Sequence, residues 1–250
     1  MRVLIAIVLL TTTAHAAAKK PAPAKTAAPA PAPLPMFAAS TAPITLDLIA
    51  ARFGELDGKL KTLSAGFRQF VRLDGSATSQ EVEGTVAFKK PDLLRIVHRI
   101  PEPQTVVADG TWLWVHRTTT NQVIQTRLDE WRKKEPLAKG MLDFGHTADL
   151  FKKFDAAIST VSATGPDGYR TFSVILTPRV SGSTASESDF KLTLTASTRD
   201  FFPADAVLKV GRASIRSVFN DVRFNPDLPD ADFHFVTPAG ADVFTTPSNP

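Results

Sequence analysis

The stretch VVADGTWLWVHRTTTNQV, residues 106–123, has two apolar faces where a surface strand would have one. Read with a period of two, Trp112 and Trp114 share a face with His116. Leu113 and Val115 share the opposite face with Thr111. The Asp109-Gly110 pair ahead of them is a tight hairpin turn signal. An antiparallel sheet wet on one side alternates apolar and polar residues. Something therefore has to cover the second face, either more of the protein or an apolar ligand that comes and goes.

Working outward, the same period of two runs through FRQFVRL (67–73), EVEGTVAFKK (81–90), LLRIVHR (93–99), QTVVAD (104–109), TWLWVHR (111–117) and QVIQTRL (122–128). Pro91, Pro101 and Pro103 punctuate two of the turns between them, and such short connections imply antiparallel neighbours. The period returns at 169–178, 189–197, 203–211, 213–224 and 232–238. In this later part Phe190, Leu192 and Leu194 alternate with polar residues, as ordinary half-buried sheet does. In the earlier part Leu93, Leu94, Ile96 and Val97 are apolar on both faces.

Two segments read as helical. Thr45 is a candidate N-cap with Asp47 in the first turn, and Ile44 and Ile49 stand at hydrophobic-staple positions. Ile49, Phe53, Leu56, Leu60 and Leu63 fall on one helical face. Gly54 and Gly58 weaken that helix, which is expected to stop or bend near Gly58. Residues 135–154 form the second segment, with Pro136 at a first helical position and Thr147 as a candidate cap for a final turn. About eleven strands and two helical segments cannot hide both faces of so broad a sheet. Either the sheet curls around its own core or it leaves a cavity, and half-closed antiparallel sheets commonly hold apolar ligands.

The rest of the chain bounds the class. Arg2, the apolar run Val3 to Leu10 and Ala14-His15-Ala16 make residues 1–16 a secretory signal with an A-x-A cleavage site. The Ala/Pro/Lys tract that follows favours extended polyproline II, so 17–41 reads as a linker, a passive spacer or a tether, and 42–250 as the folded domain. Of 250 residues none is cysteine, which excludes disulfides, thiolate catalysis and an N-terminal lipid carried on cysteine. The net charge is +4, and Arg2, Lys19, Lys20 and Lys25 supply all of it in a leader without acids, so the folded part is balanced. That argues against a nucleic-acid partner, which needs a basic folded surface.

No catalytic set stands out: there is no G-x-S-x-G, no H-E-x-x-H and no glycine-rich phosphate loop. His98 and His116, on separate strands, lack carboxylates at ligand spacing and do not make a metal site. Asp149 and the Asp129-Glu130 pair read as solvated surface charge. The expectation is a monomeric binding protein without cofactor or enzymatic activity.

Taken together, these residues resemble a known family. The amphipathic helix runs into LSAGFRQ (63–69), followed by GTVAFKKPDLLRI (84–96), the stretch 106–123, PLAKGMLDF (136–144) and FNDVRFNPDLPDADFHFVTPAGADV (219–243). This order is similar to that of the periplasmic outer-membrane lipoprotein carrier proteins, the LolA family, over about residues 44–244. The resemblance implies a mainly β fold with helices: an incomplete, half-open antiparallel β-barrel whose open side the helices cover, enclosing a hydrophobic cavity for lipoprotein acyl chains. It implies a periplasmic location. It also implies two further partners, an inner-membrane ABC transporter that supplies the acylated lipoproteins and an outer-membrane receptor that accepts them. Leu94, Ile96 and Val106 fall at cavity positions of the family and Phe53 and Leu56 on the covering helix, and Trp112 and Trp114 are expected to line the acyl-chain cavity with them. Lys90 stands where the family has an arginine that latches the helical lid; lysine keeps the charge but loses the planar fork. His116 stands where a tyrosine is common. A lipid-sensing or regulatory module on the same half-barrel is the alternative, and an enzyme acting on lipid or cell-wall material a third reading.

Overall fold

A computed structural model describes residues 36–76, 78–134, 145–179 and 190–246. The expected signal, residues 17–35 of the linker and the PLAKGMLDF segment lie outside the described residues. Twelve strands form one sheet. They are β1 (Thr62–Leu73), β2 (Gln80–Lys89), β3 (Leu93–Ile100), β4 (Gln104–Asp109), β5 (Trp112–Arg117), β6 (Gln122–Arg127), β7 (Phe154–Val161), β8 (Thr171–Pro178), β9 (Lys191–Ser197), β10 (Asp205–Val210), β11 (Ala213–Phe224) and β12 (Asp242–Thr245). The order across the sheet is β12-β6-β5-β4-β3-β2-β1-β11-β10-β9-β8-β7, so β12 and β7 are free edges and the barrel is not closed. Neighbours are antiparallel except β12, which runs parallel to β6.

Helix α1 (Leu46–Lys59) begins as its sequence dictates: Thr45 is extended and its hydroxyl accepts the Leu48 N–H at 3.2 Å. The helix passes through Gly58 and ends at Lys59. The apolar series continues across the boundary, because Leu60 caps the helix and Leu63 already belongs to β1, yet both are buried in the same core. Helices α2 (Leu128–Lys134) and α3 (Leu150–Lys153) add to the cover.

The tight geometry of the sheet centre rests on two glycines. Gly110 takes φ +91° in the β4–β5 hairpin. A Cβ at Gly84 would stand 2.2 Å from the Val97 carbonyl oxygen and 2.8 Å from the Phe67 ring, so only glycine lets these strands approach.

Three sequence expectations need correction. Residues 232–238 are not a strand: Asp230–Phe233 is a 3-10 turn and the chain beyond it is irregular. The alternating Phe233 and Phe235 serve the outer face of the sheet instead. Strand β7 replaces the end of the presumed helical segment and the loop after it; alanines at 156 and 157 blur its alternation. At 128 the chain turns into α2 instead of closing a strand, and Leu128 and Trp131 at i, i+3 put a helical stripe into the core.

Candidate functional site

Strand register sorts β1 to β5 into cross-strand rows on the concave face. One row is Leu63, Phe88, Leu94, Ala108 and Leu113. The next is Ala65, Val86, Ile96, Val106 and Val115. Because directly paired residues share a face, the expected lining residues Leu94, Ile96 and Val106 lie side by side. Leu56, from the C-terminal half of α1, packs into the same cluster, with Leu60, Leu128 and Trp131. Phe53, one turn earlier on α1, belongs instead to a second cluster over β8 to β11, among Phe172, Val174 and Leu208.

All of these residues are covered. Leu94 is 8 %, Ile96 5 %, Leu56 2 % and Val106 and Phe53 0 % exposed. A guest in this space must exchange protein contacts for its own. Helix α2 also covers this space. It is held by Leu128, Trp131 and the Arg132–Asp92 ion pair.

Lys90 reaches the last turn of α1, where its Nζ donates to the Asp57 carbonyl oxygen at 2.5 Å. Its stem passes under Gly145, whose Cβ, if present, would stand 2.7 Å from Lys90 Cε. The ammonium thus satisfies a carbonyl at the negative end of the helix dipole. The Asp57 side chain turns the other way and accepts the Ala148 N–H at 2.8 Å. Burial pushes the Asp57 carboxyl above its usual range, against the pull of the Ala148 and Thr147 N–H groups and of the His146 and Lys90 charges. This pair ties the end of α1 to β2 on one side and to the 3-10 turn Thr147–Asp149 on the other. The cap expected of Thr147 is absent: the flanking residue is His146, without a side-chain cap bond. Sequence reasoning missed Asp57 because nothing in the spacing marks a helical aspartate as turned inward.

Trp112 and Trp114 do not join the concave lining. Trp114 pairs with Val107 and stands on the outer face. Its ring stacks on Phe235 with centroids 5.1 Å apart, and its indole N–H donates to Asp109 at 3.0 Å. Trp112 lies under the Arg127 guanidinium. The turn residue Asp109 also accepts the N–H groups of Thr111 and Trp112, at 2.9 and 2.7 Å. Burial raises its carboxyl, but the donors from Trp112, Trp114 and Thr111 outweigh that and hold it below the usual carboxylate range. The physical reason for the misassignment is that a fully apolar strand reports burial on both faces without saying what buries each. Here the C-terminal segment does so on the outer face, with Val107 0 % and Phe233 1 % exposed. Arg95 and Lys89 anchor that segment, donating to the carbonyls of Asp232 and Leu228.

His98 and His116 fall on opposite faces of the sheet, by the alternation along β3 and β5, so they cannot share a metal ion. A groove of about 520 Å³ also lies on the outer face, around Gly66 and Gly84. Glu83, Arg95, Arg99, Asp221 and Arg223 line it, and such a charged wall does not suit hydrocarbon.

Residues 58–236 match the family model described as outer membrane lipoprotein carrier protein LolA. The outer-membrane lipoprotein carrier protein of Dechloromonas aromatica (strain RCB) is 33 % identical over 185 residues, covering 73 % of this chain and 81 % of the relative. That of Azotobacter vinelandii is 30 % identical over 194 residues, covering 77 % and 86 %. Among solved structures, an uncharacterized conserved protein from Thermus thermophilus shares the fold with a TM-score of 0.50 at 15 % identity, covering 80 % of this chain and 98 % of its own. The chain belongs to the LolA family of outer-membrane lipoprotein carrier proteins.

Proposed function

We propose that this protein carries acylated lipoproteins across the periplasm, taking them from an inner-membrane ABC transporter and delivering them to an outer-membrane receptor. The acyl chains would lie along the rows of Leu94, Ile96 and Val106, beneath Leu56 of α1. One observation supports this most directly: Leu94 and Ile96 of β3, Val106 of β4 and Leu56 of α1 meet in a single apolar cluster. That cluster lies under a short helix and a long one tied down by polar contacts at one end.

The energetics fit a shuttle. Burying lipid contributes about 0.8 kcal/mol per methylene, so exposing a chain of roughly fifteen costs about 12 kcal/mol. Free diffusion of a triacylated protein is then disfavoured by nearly nine decades, counting about 1.4 kcal/mol per decade. A closed apolar interior that opens locally limits that exposure. Opening also takes Trp131 and Leu56 out of their packing in the core, and that cost keeps binding from becoming irreversible.

Tryptophan fluorescence tests the reading. In a Trp112→Phe/Trp114→Phe variant, Trp131 is the one remaining indole. Titration with a tripalmitoylated cysteinyl peptide is expected to saturate and to shift the Trp131 emission to the red as the ring leaves the core. No saturable change, together with no acyl species in the mass spectrum of protein purified from its native periplasm, sinks the proposal.

A further inference from the structure

The concave rows do not stay apolar. The third, two residues further along each strand, is Phe67, Gly84, His98, Gln104 and Arg117, and Gln122 of β6 extends it. His98 continues the Leu94, Ile96 series of β3 and is 8 % exposed, edge-on to the Phe67 ring at 5.6 Å. The Gln104 amide lies 3.4 Å from His98 Nδ1. Arg117 continues the Leu113, Val115 series of β5. By strand register it is the one formally charged side chain on the concave face of β1 to β6. Its Nε is buried and makes no hydrogen bond among the described residues. The helical cover is fastened at the other end of these strands, where Leu128 N–H donates to the Thr111 carbonyl and Lys90 N–H to that of Lys61. The polar row therefore stands at the end of the apolar lining away from the helix anchors.

A buried N–H donor without a partner costs stability, and the Nε of the half-buried Arg117 is one. We propose that Arg117, with Gln104 and His98 beside it, is the head-group end of the site: a collar that hydrogen-bonds the ester and amide carbonyls where acyl chains join the modified N-terminal cysteine of a lipoprotein. The assignment rests on the carrier reading and gives the bound chains a direction, with methylenes on the two apolar rows and carbonyls on the third. Guanidinium suits this role, because it offers planar donors to neutral carbonyl oxygens while its stem packs among apolar neighbours. Carbonyl chemistry also occurs in phospholipids, so the test separates the two sources.

The experiment compares wild type with Arg117→Leu in the full mature chain, using three probes: a tripalmitoylated cysteinyl peptide, dioleoylphosphatidylglycerol and the carbonyl-free hydrocarbon diphenylhexatriene. Thermal stability of the variant is expected to equal or exceed that of wild type, since an unpartnered buried donor has gone. Affinity for the lipopeptide is expected to fall by about tenfold or more, while diphenylhexatriene binding stays unchanged. A variant that binds lipopeptide as wild type does, or that loses the hydrocarbon probe equally, overturns the collar. Loss confined to the phospholipid overturns its assignment to lipoproteins. Wild-type protein that takes diphenylhexatriene but no lipopeptide overturns the carrier reading, and the collar with it.

Discussion

Strands β1 to β6 and strands β8 to β11 belong to one sheet but solve the problem of their two faces differently. The second group has a polar outer face, where Ser173 and Thr195 share a hydrogen bond at 2.8 Å. Its inner face is aliphatic with a chain of ring contacts through it: Phe172 lies 5.4 Å from Phe201 and 6.5 Å from Phe53, and Phe154 stacks on Phe190 at 5.1 Å. The first group is apolar on its inner face, and β3 to β5 also turn Val97, Val107, Trp112 and Trp114 outward, beside the charged outer residues of β1 and β2. Its outer face is closed by the C-terminal segment, and its inner face is mostly Leu, Ile, Val and Ala under helices secured by a few polar contacts. Interlocked rings fix one geometry, whereas aliphatic side chains under a short helix can be replaced by other hydrocarbon at small cost. On the carrier proposal, the contrast puts rigidity in one part of the sheet and exchange in the other.

The strongest way to break that assignment is to delete one large side chain from each part. Phe172→Ala is expected to cost about 3–5 kcal/mol in denaturant unfolding, because its site is fully enclosed by other rings. Lipopeptide affinity of the molecules that remain folded should not change. Leu94→Ala is expected to cost less, about 2–3 kcal/mol, since helix side chains can settle into the gap, and to weaken lipopeptide binding several-fold. Equal effects on affinity from the two variants would erase the distinction.

The two faces of β5 sharpen it further. Trp114→Ala removes the Phe235 stack and the hydrogen bond to Asp109. A half-buried ring with these contacts is worth about 2 kcal/mol. Unfolding should report that loss while lipopeptide affinity holds, because the indole stands on the outer face. Weakened binding with unchanged stability would return Trp114 to the lining.

Much of this arrangement was legible in the sequence. A period of two gave most strands, and Thr45, Ile44 and Ile49 marked the start of α1 by local chemistry that tertiary context does not alter. The lining positions of Leu94, Ile96 and Val106 came from the family resemblance, because alternation alone left both faces of their strands apolar. What failed was whatever depends on contacts distant in the chain. Phe233 and Phe235 alternate as a strand does, but the sheet has no position for them and they close a face instead. Strand β12 has four residues, too few for a pattern, and takes its place by pairing with β6 from far along the chain. Helix α2 did carry a signal, acids at 129 and 130 before bases from 132 to 134. Reading residue 128 as the end of a strand hid it. The role of Arg117 was invisible because an arginine at a strand end is ordinarily solvated.

The smallest expected effect concerns His98, which has no counterpart in the other part of the sheet: the concave positions of β8 to β11, from Phe172 to Ser217, include no titratable side chain. Burial lowers the His98 pKa from its ordinary 6.5. Between the lowered value and 6.5 the unfolded chain therefore binds more protons than the folded one, and stability rises with pH there. The contribution is complete above about 6.5 and is lost as pH falls through the window, at no more than about 1.4 kcal/mol per pH unit for one proton. Asp57 acts with the opposite sign, because its raised pKa lets the folded state hold a proton that the unfolded state releases above about 3.8. The absolute pH profile mixes the two, but the difference between wild type and His98→Gln isolates the imidazole. Urea unfolding at several values from about pH 7.5 down to about 5.5 should show wild type losing stability relative to the variant as acid is added. Parallel curves would mean that the imidazole is open to water, and that the third row is no more enclosed than an ordinary strand end.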